Sequence, residues 1–225
     1  MICNSYGIDD IQRSALIYYR FYAIIHLKVG DDMKKLIAFF MCLVICVAFV
    51  GCNNTDNQND EAREALQRVL ENEQTFTAQT TEYTLEKYHF QINDNAYYVF
   101  VPEQYAFVDM DNDNIDELVI LDSMMNYYLV LHYENEKVNG YRIDVRSLID
   151  LRTDGSFMTS SAAGINSIGN MCFDGSECKV INKALANDYD QEYFIDGKKT
   201  DQKTSKKYFD DWNENTTKIS WNTIN

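Results

Sequence analysis

The sequence predicts an α+β fold, β-rich, built as an antiparallel β-meander with an N-terminal amphipathic helix and a short C-terminal helix. Three observations carry that expectation. Turn signals recur every eight to twelve residues along most of the 225-residue chain. Between them the apolar residues alternate with period two, and Tyr, Val, Leu and Ile dominate. Helical spacing is confined to one stretch near residue 61 and one near residue 205.

Taken in order, residues 1–32 hold an apolar run from Ala15 to Val29 broken by Arg20, His26 and Lys28. A clearer pattern opens at Met33. Met33-Lys34-Lys35 is a basic start, Leu36 to Val50 is continuously apolar, and Gly51-Cys52 closes it. This reads as a secretory signal over 33–51. Its end resembles a bacterial lipobox, with Cys52 as the lipidated residue, although Phe49 stands where Leu is usual. The apolar run of about 15 residues is short of the ~20 needed to span a bilayer. Translation from Met33 would explain why the signal is internal, with 1–32 a mis-assigned extension; a membrane hairpin of two apolar segments is the alternative. Residues 52–60, ending in Asn53–Asp60, read as lipidated Cys and polar tether, and 61–225 as a single extracytoplasmic β-rich domain.

Glu61 to Glu73 carries Ala62, Ala65, Leu66, Val69 and Leu70 at helical spacing, with Asp60 as a cap. Phe76 is placed to dock just after it. A short strand or turn follows over Leu85–Ile92, then a turn at Asn93-Asp94-Asn95, then a strand over Ala96–Val101 closed by Pro102. Tyr105–Asp109 and Leu118–Leu121 are strands around an acidic loop. Asn126–Tyr133 and Lys137–Val145 pair across Glu134-Asn135-Glu136. Leu148–Leu151 and Ser156–Thr159 pair across Thr153-Asp154-Gly155. The small residues of Ser160–Ile168 suit a tight turn or close packing. Hairpins around Asp174-Gly175 and Asp196-Gly197, a helix over Ser205–Asn213 capped by Thr204 or Ser205, and a last strand over Ile219–Ile224 complete the chain.

The acidic loop is the one stretch with specific chemistry. Asp109, Asp111 and Asp113 recur at alternate positions, Ile115 would offer its carbonyl, and Glu117 would close a shell of hard oxygens of the kind that holds Ca2+. Asn114 occupies the position where the backbone needs positive φ. The stretch resembles the D-x-D-x-D-G-x-x-E-L loops of extracellular bacterial β-proteins, including the calcium loops of FG-GAP propeller repeats, but it occurs once and a propeller needs several copies. It is not a complete EF-hand, because the twelfth position is Ile120. A solvated Asp/Asn-rich turn is the plainer reading of the same residues.

Charge and cysteines narrow the role. Residues 1–52 hold five of the 20 Lys/Arg and four of the 35 Asp/Glu, so the part from Asn53 onward carries 15 bases against 31 acids. Such a surface repels nucleic acid and anionic head groups. Cys172 and Cys178 flank a turn and could form a disulfide outside the cell or remain two thiols; without further ligands they do not make a zinc shell. His89 and His132 sit in no motif, and no G-x-S-x-G, H-E-x-x-H or phosphate loop occurs in the sequence. Tyr97, Tyr98, Tyr127, Tyr128, Tyr133 and Tyr141 suit a carbohydrate- or peptide-binding face, though sheet core is the stronger reading of the same residues.

Across 69–73, 109–119, 130–142, 151–157, 173–175, 193–199 and Trp221 the chain resembles a family of uncharacterised lipoproteins from gut Clostridia and related Firmicutes. The resemblance implies a shared fold and a membrane attachment at Cys52, and no activity. The expectation is therefore a cell-surface lipoprotein on the outer face of the membrane, stabilised by Ca2+ and engaged in binding an extracellular glycan or protein. The alternative is an extracellular hydrolase acting on glycan or peptidoglycan.

Overall fold

A computed structural model describes residues 54–175 and 177–224. The extension 1–32, the signal 33–51 and Cys52 lie outside these residues. Residues 57–225 form one compact unit. The described residues are β-rich, with antiparallel sheets and two α-helices.

Helix α1 spans Asn54–Leu70. It begins inside the stretch expected to be a tether, so the polar residues from Asn54 are helical. Its early turns have tertiary partners: Asn59 Oδ1 accepts the Asp116 N–H at 2.9 Å, and Glu61 Oε1 accepts from the Tyr133 hydroxyl at 2.7 Å. Asp60 therefore lies within the helix rather than capping it. The helix stops at Leu70, short of the expected Glu73, where Asn72 takes φ 61° and the Glu73 N–H returns to the Arg68 carbonyl at 2.8 Å.

Among the described residues fourteen strands follow. One sheet contains β1 (Phe76–Ala78), β2 (Thr81–Tyr83), β5 (Pro102–Val108), β6 (Glu117–Asp122), β7 (Tyr127–Glu134), β8 (Lys137–Asp144) and β14 (Asn222–Thr223), in the order β14-β5-β6-β7-β8-β1-β2. A second contains β9 (Phe157–Ala162), β10 (Ile165–Asp174), β11 (Glu177–Asn187), β12 (Glu192–Ile195) and β13 (Lys198–Thr200) in simple meander order. Strands β3 (His89–Asn93) and β4 (Ala96–Val99) make a separate hairpin. Helix α2 spans Gln202–Asn215, longer than expected, and Asp201 rather than Thr204 or Ser205 caps it, accepting the Thr204 N–H at 2.9 Å.

Several local expectations change. The meander is interrupted where β1 joins β8 in parallel, Thr77 beside Asn139 and Ala78 beside Gly140. That pairing brings the Phe76 ring over Gly140, where an added Cβ would meet the ring at 2.6 Å. Pro102 opens β5 instead of closing β4, a position where its missing N–H costs no ladder bond. The tight turn expected within Ser160–Ile168 is the junction of β9 and β10 at Ala163-Gly164, where Gly164 takes φ 77°. The final strand is only Asn222–Thr223, paired with Gln104 and Tyr105.

The Cys172–Cys178 disulfide is corrected by register. The β10–β11 turn is one residue tighter than the three-residue turn that would align the sulfurs. Phe173 faces Cys178, and Cys172 faces Lys179. Adjacent residues of a strand point to opposite sheet faces, so Cys172 and Cys178 do not meet. Cys178 is a half-buried free thiol.

The seven-stranded sheet is covered on both faces. Leu118, Ile120, Leu129, Leu131 and Val138 point to one side, where they pack with Leu66 and Val69 of α1 and with Phe76, Leu85, Tyr88 and Phe100. Val108, Val119, Val130, Tyr141 and Ile143 point to the other, against Phe157 and Met171 of the second sheet. This is why β6 reads as an unbroken apolar run: every residue from Glu117 to Asp122 is buried. Leu66 is fully buried at the helix–sheet seam. Leu66→Ala is expected to cost about 2–5 kcal/mol of unfolding free energy, read as a lowered denaturation midpoint at unchanged slope.

Candidate metal centre

The β5–β6 connection, residues 109–116, is pinned from four directions. Asp109 folds the loop over itself: its Oδ1 accepts the N–H of Asn112 (2.7 Å) and Asp113 (3.2 Å), and its Oδ2 that of Asn114 (3.0 Å). Asn112 and Asn114 carry φ of 65° and 70°, the left-handed conformation that Asn tolerates better than most residues. Helix α1 holds the loop from one side, through Asn59 and through Arg63, whose Nε pairs with Asp116 Oδ2 while its guanidinium lies 4.9 Å from the Phe107 ring centre. The 154–155 turn holds it from beneath. A Cβ on Gly155, where φ is 72°, would lie 2.0 Å from the Asp109 carbonyl oxygen. From the second sheet, the Met171 N–H donates to the Met110 carbonyl at 3.1 Å and Asn170 Nδ2 to the same oxygen at 3.3 Å.

Within this frame Asp109, Asp111 and Glu117 each offer a carboxylate oxygen, all within 4.8 Å of one another. Glu117 has no exposed surface. Its Oε2 accepts the Met110 N–H at 2.7 Å, and its Oε1 is hydrogen-bonded to His132 Nδ1 at 2.8 Å. Asp111 Oδ1 is buried and has no hydrogen-bond partner among the described residues. Of the five expected ligands the structure thus brings three together. Asp113 Oδ1 instead accepts the Ile115 N–H at 2.7 Å, and Asp113 and Ile115 line an adjoining recess of about 470 Å³ with His132 and Phe173. His132 is the functional candidate that sequence reasoning left as a sheet residue. It is buried, and its ring stacks on Phe173 at 4.4 Å. The usable signal was register: His132 follows Leu131, which pairs with Leu118, so it falls beside Glu117.

The electrostatics follow from burial. Desolvation first, then the charges of Glu117 and Asp113, push the Asp111 carboxyl up to about 7. Burial drives Glu117 well above its ordinary range despite the Met110 N–H. Asp113 is also raised, by burial first. His132 is lowered by burial, which favours neutral imidazole. Gathered negative charge in a poorly hydrated loop is the environment a hard cation relieves. An all-oxygen donor set suits Ca2+ better than zinc or other metals that favour nitrogen and sulfur. His132, bonded through Nδ1 to a ligating oxygen, would orient Glu117 and would not itself need to coordinate.

Two outcomes follow from this geometry. Gly155→Ala should lower stability by about 1–3 kcal/mol through overpacking against Asp109, and a calcium titration of the variant should show weakened affinity. The carboxyl shifts also set a pH dependence. A carboxyl whose folded pKa is raised penalises the fold once pH exceeds its unfolded value near 4. The penalty grows until the folded pKa, about 7 for Asp111, is passed. Without added cations the protein should therefore lose melting temperature between about pH 4 and 7, and Asp111→Asn should flatten that slope. The curves are read by circular dichroism in calcium-free buffer.

No protein-family model, no curated protein and no solved structure matches this chain.

Proposed function

We propose that this chain is a cell-surface lipoprotein, tethered to the outer face of the membrane through Cys52, whose β-rich domain is stabilised by a calcium ion at Asp109, Asp111 and Glu117 and serves to bind an extracellular ligand. The observation that carries the calcium reading is the buried, unpartnered Asp111 Oδ1 within 4.8 Å of the other two carboxylates. A buried polar atom without a partner costs roughly 1–3 kcal/mol, and a cation at that point supplies the partner. The lipoprotein reading is supported by the basic start at Met33, the apolar run and Gly51-Cys52. Among the described residues no helix is long and apolar enough to cross a membrane. Binding is favoured over hydrolysis because two of the three carboxylates are committed. Asp109 takes three backbone N–H groups, and Glu117 takes Met110 and His132. Acids so fixed are poorly suited to exchanging protons with a substrate.

A melt of the purified protein tests this. At a hundredfold excess over Kd, calcium should stabilise by about 2.7 kcal/mol, which for a domain of this size is roughly 5–11 °C. Asp111→Asn should abolish the calcium-dependent rise while leaving the calcium-free melt unchanged or higher, since it removes buried charge. An equal melt with and without calcium would reduce residues 109–117 to a structured acidic turn.

A further inference from the structure

A second concave site lies away from the acidic loop. The β3–β4 hairpin, whose strands pair with neither large sheet among the described residues, and residues of β1, β2 and β8 line a cleft of about 690 Å³. Its inner face is fixed by aromatic packing. Phe90 stacks on Tyr98 at 5.1 Å, and the Tyr98 hydroxyl donates to Asp122 Oδ2 at 2.8 Å. Facing the cleft, Tyr83, His89 and Tyr97 form a run of edge-to-face rings at 5.5 and 5.6 Å. Tyr97 is 65% exposed. Gln91, Asn93 and Asp94 supply amide and carboxylate groups along the same lining.

The cleft also holds an exposed arginine. The Arg142 guanidinium lies 4.4 Å from the Phe90 ring centre and 5.6 Å from that of Tyr127. It makes no ion pair and no side-chain hydrogen bond among the described residues, in a chain with 35 acidic side chains against 20 basic ones. These ring contacts hold the guanidinium at the lining of the cleft, and a guanidinium recognises a carboxylate through two parallel hydrogen bonds. Exposed aromatic faces suit the C–H face of a sugar ring, and planar amides suit its hydroxyl edge. The volume is within the range of small-molecule sites.

We infer that this cleft binds a carboxylate-bearing saccharide of the uronic-acid type. The carboxylate sits on Arg142, the ring lies against Tyr97 and His89, and the hydroxyls meet Gln91, Asn93 and Asp94. This deepens the binding role proposed above and is independent of the calcium assignment.

Titration calorimetry of the full-length protein tests it, with trigalacturonic acid and glucuronic acid as probes. Their neutral counterparts and a short peptide with a free C-terminal carboxylate serve as comparisons. The acidic sugars are expected to bind roughly tenfold or more tighter than the neutral ones, and Arg142→Met to remove that difference. Arg142→Lys should do nearly the same, because an ammonium lacks the planar fork. Tyr97→Ala should weaken acidic and neutral sugars alike. Arg142 and Tyr97 are exposed, so the variants should melt like the parent. Neutral sugars binding as tightly as acidic ones, an Arg142→Met variant that binds as the parent does, preference for the peptide, or no heat from any acidic sugar at millimolar concentration would each overturn the assignment. Melts with and without calcium, run on the same samples, read the calcium site separately. Either assignment can thus fail while the other stands.

Discussion

The arrangement depends on burying a carboxylate. Glu117 opens β6, a strand covered on both faces, and has no exposed surface. A buried carboxylate is tolerated only when its oxygens are matched, and here the match comes from the Met110 N–H and from His132. Those two partners determine much of the surroundings. Met110 must turn its N–H inward, which coils the chain into the loop that Asp109 ties. His132 must lie beside Glu117, which places β7 next to β6 in a single register. The loop then brings Asp109 and Asp111 up to a charge that is already buried. The electrostatic strain is local, and a cation at that point relieves it for all three acids together.

The layers around the loop explain why it stays ordered. Helix α1 and the second sheet cover opposite faces of the seven-stranded sheet, and both reach the loop: the helix through Asn59 and Arg63, the second sheet through Met171 and Asn170. An exposed ion pair such as Arg63–Asp116 contributes little alone. Its place beneath the Phe107 stack gives it a positional role instead. Gly155 adds a steric floor, since only a residue without Cβ can approach the Asp109 carbonyl so closely. The Asn residues at 112 and 114 serve the same end from within.

Periodicity made the fold class legible, along with the strands from Tyr105 to Asp144 and the two helices, because each of these is a local property of the chain. What the chain leaves to tertiary contact was less legible. The first turns of α1 look like solvated tether until Asn59 and Glu61 find partners on the loop and on Tyr133. The parallel β1–β8 pairing depends on a glycine at 140 that leaves space for Phe76. The β10–β11 turn differs from the expected one by a single residue, and in a strand that moves a side chain to the other face; the cysteine pairing was lost on that count. At the acidic loop, spacing pointed to five ligands because alternate positions converge in an idealised turn. In the structure Asp113 turns back to its own loop at Ile115, and the centre is built from Asp109, Asp111 and Glu117. His132 entered through long-range pairing that no local motif announces.

The two candidate sites share a wall. His132, bonded to Glu117, stacks on Phe173, and Phe173 packs against Tyr141 at 5.2 Å. Tyr141 and Arg142 both line the β3–β4 cleft, and the Tyr141 hydroxyl donates to the Gly175 carbonyl at the tip of the β10–β11 hairpin. A run of packed rings thus joins the charged loop to the cleft. Contiguity alone is not coupling; that requires an element with two arrangements which both ends bias. Nothing along this run has the character of such an element. The rings are packed against covered sheet, and the half-buried Cys178 beside them is held in the β11 ladder opposite Phe173. The physical consequence is a static one. Packing of Phe173 on His132 and on Tyr141 orders that wall of the cleft, whatever the loop holds. A binding site with a prearranged wall loses less conformational entropy when its ligand arrives, and here the packed rings supply that order.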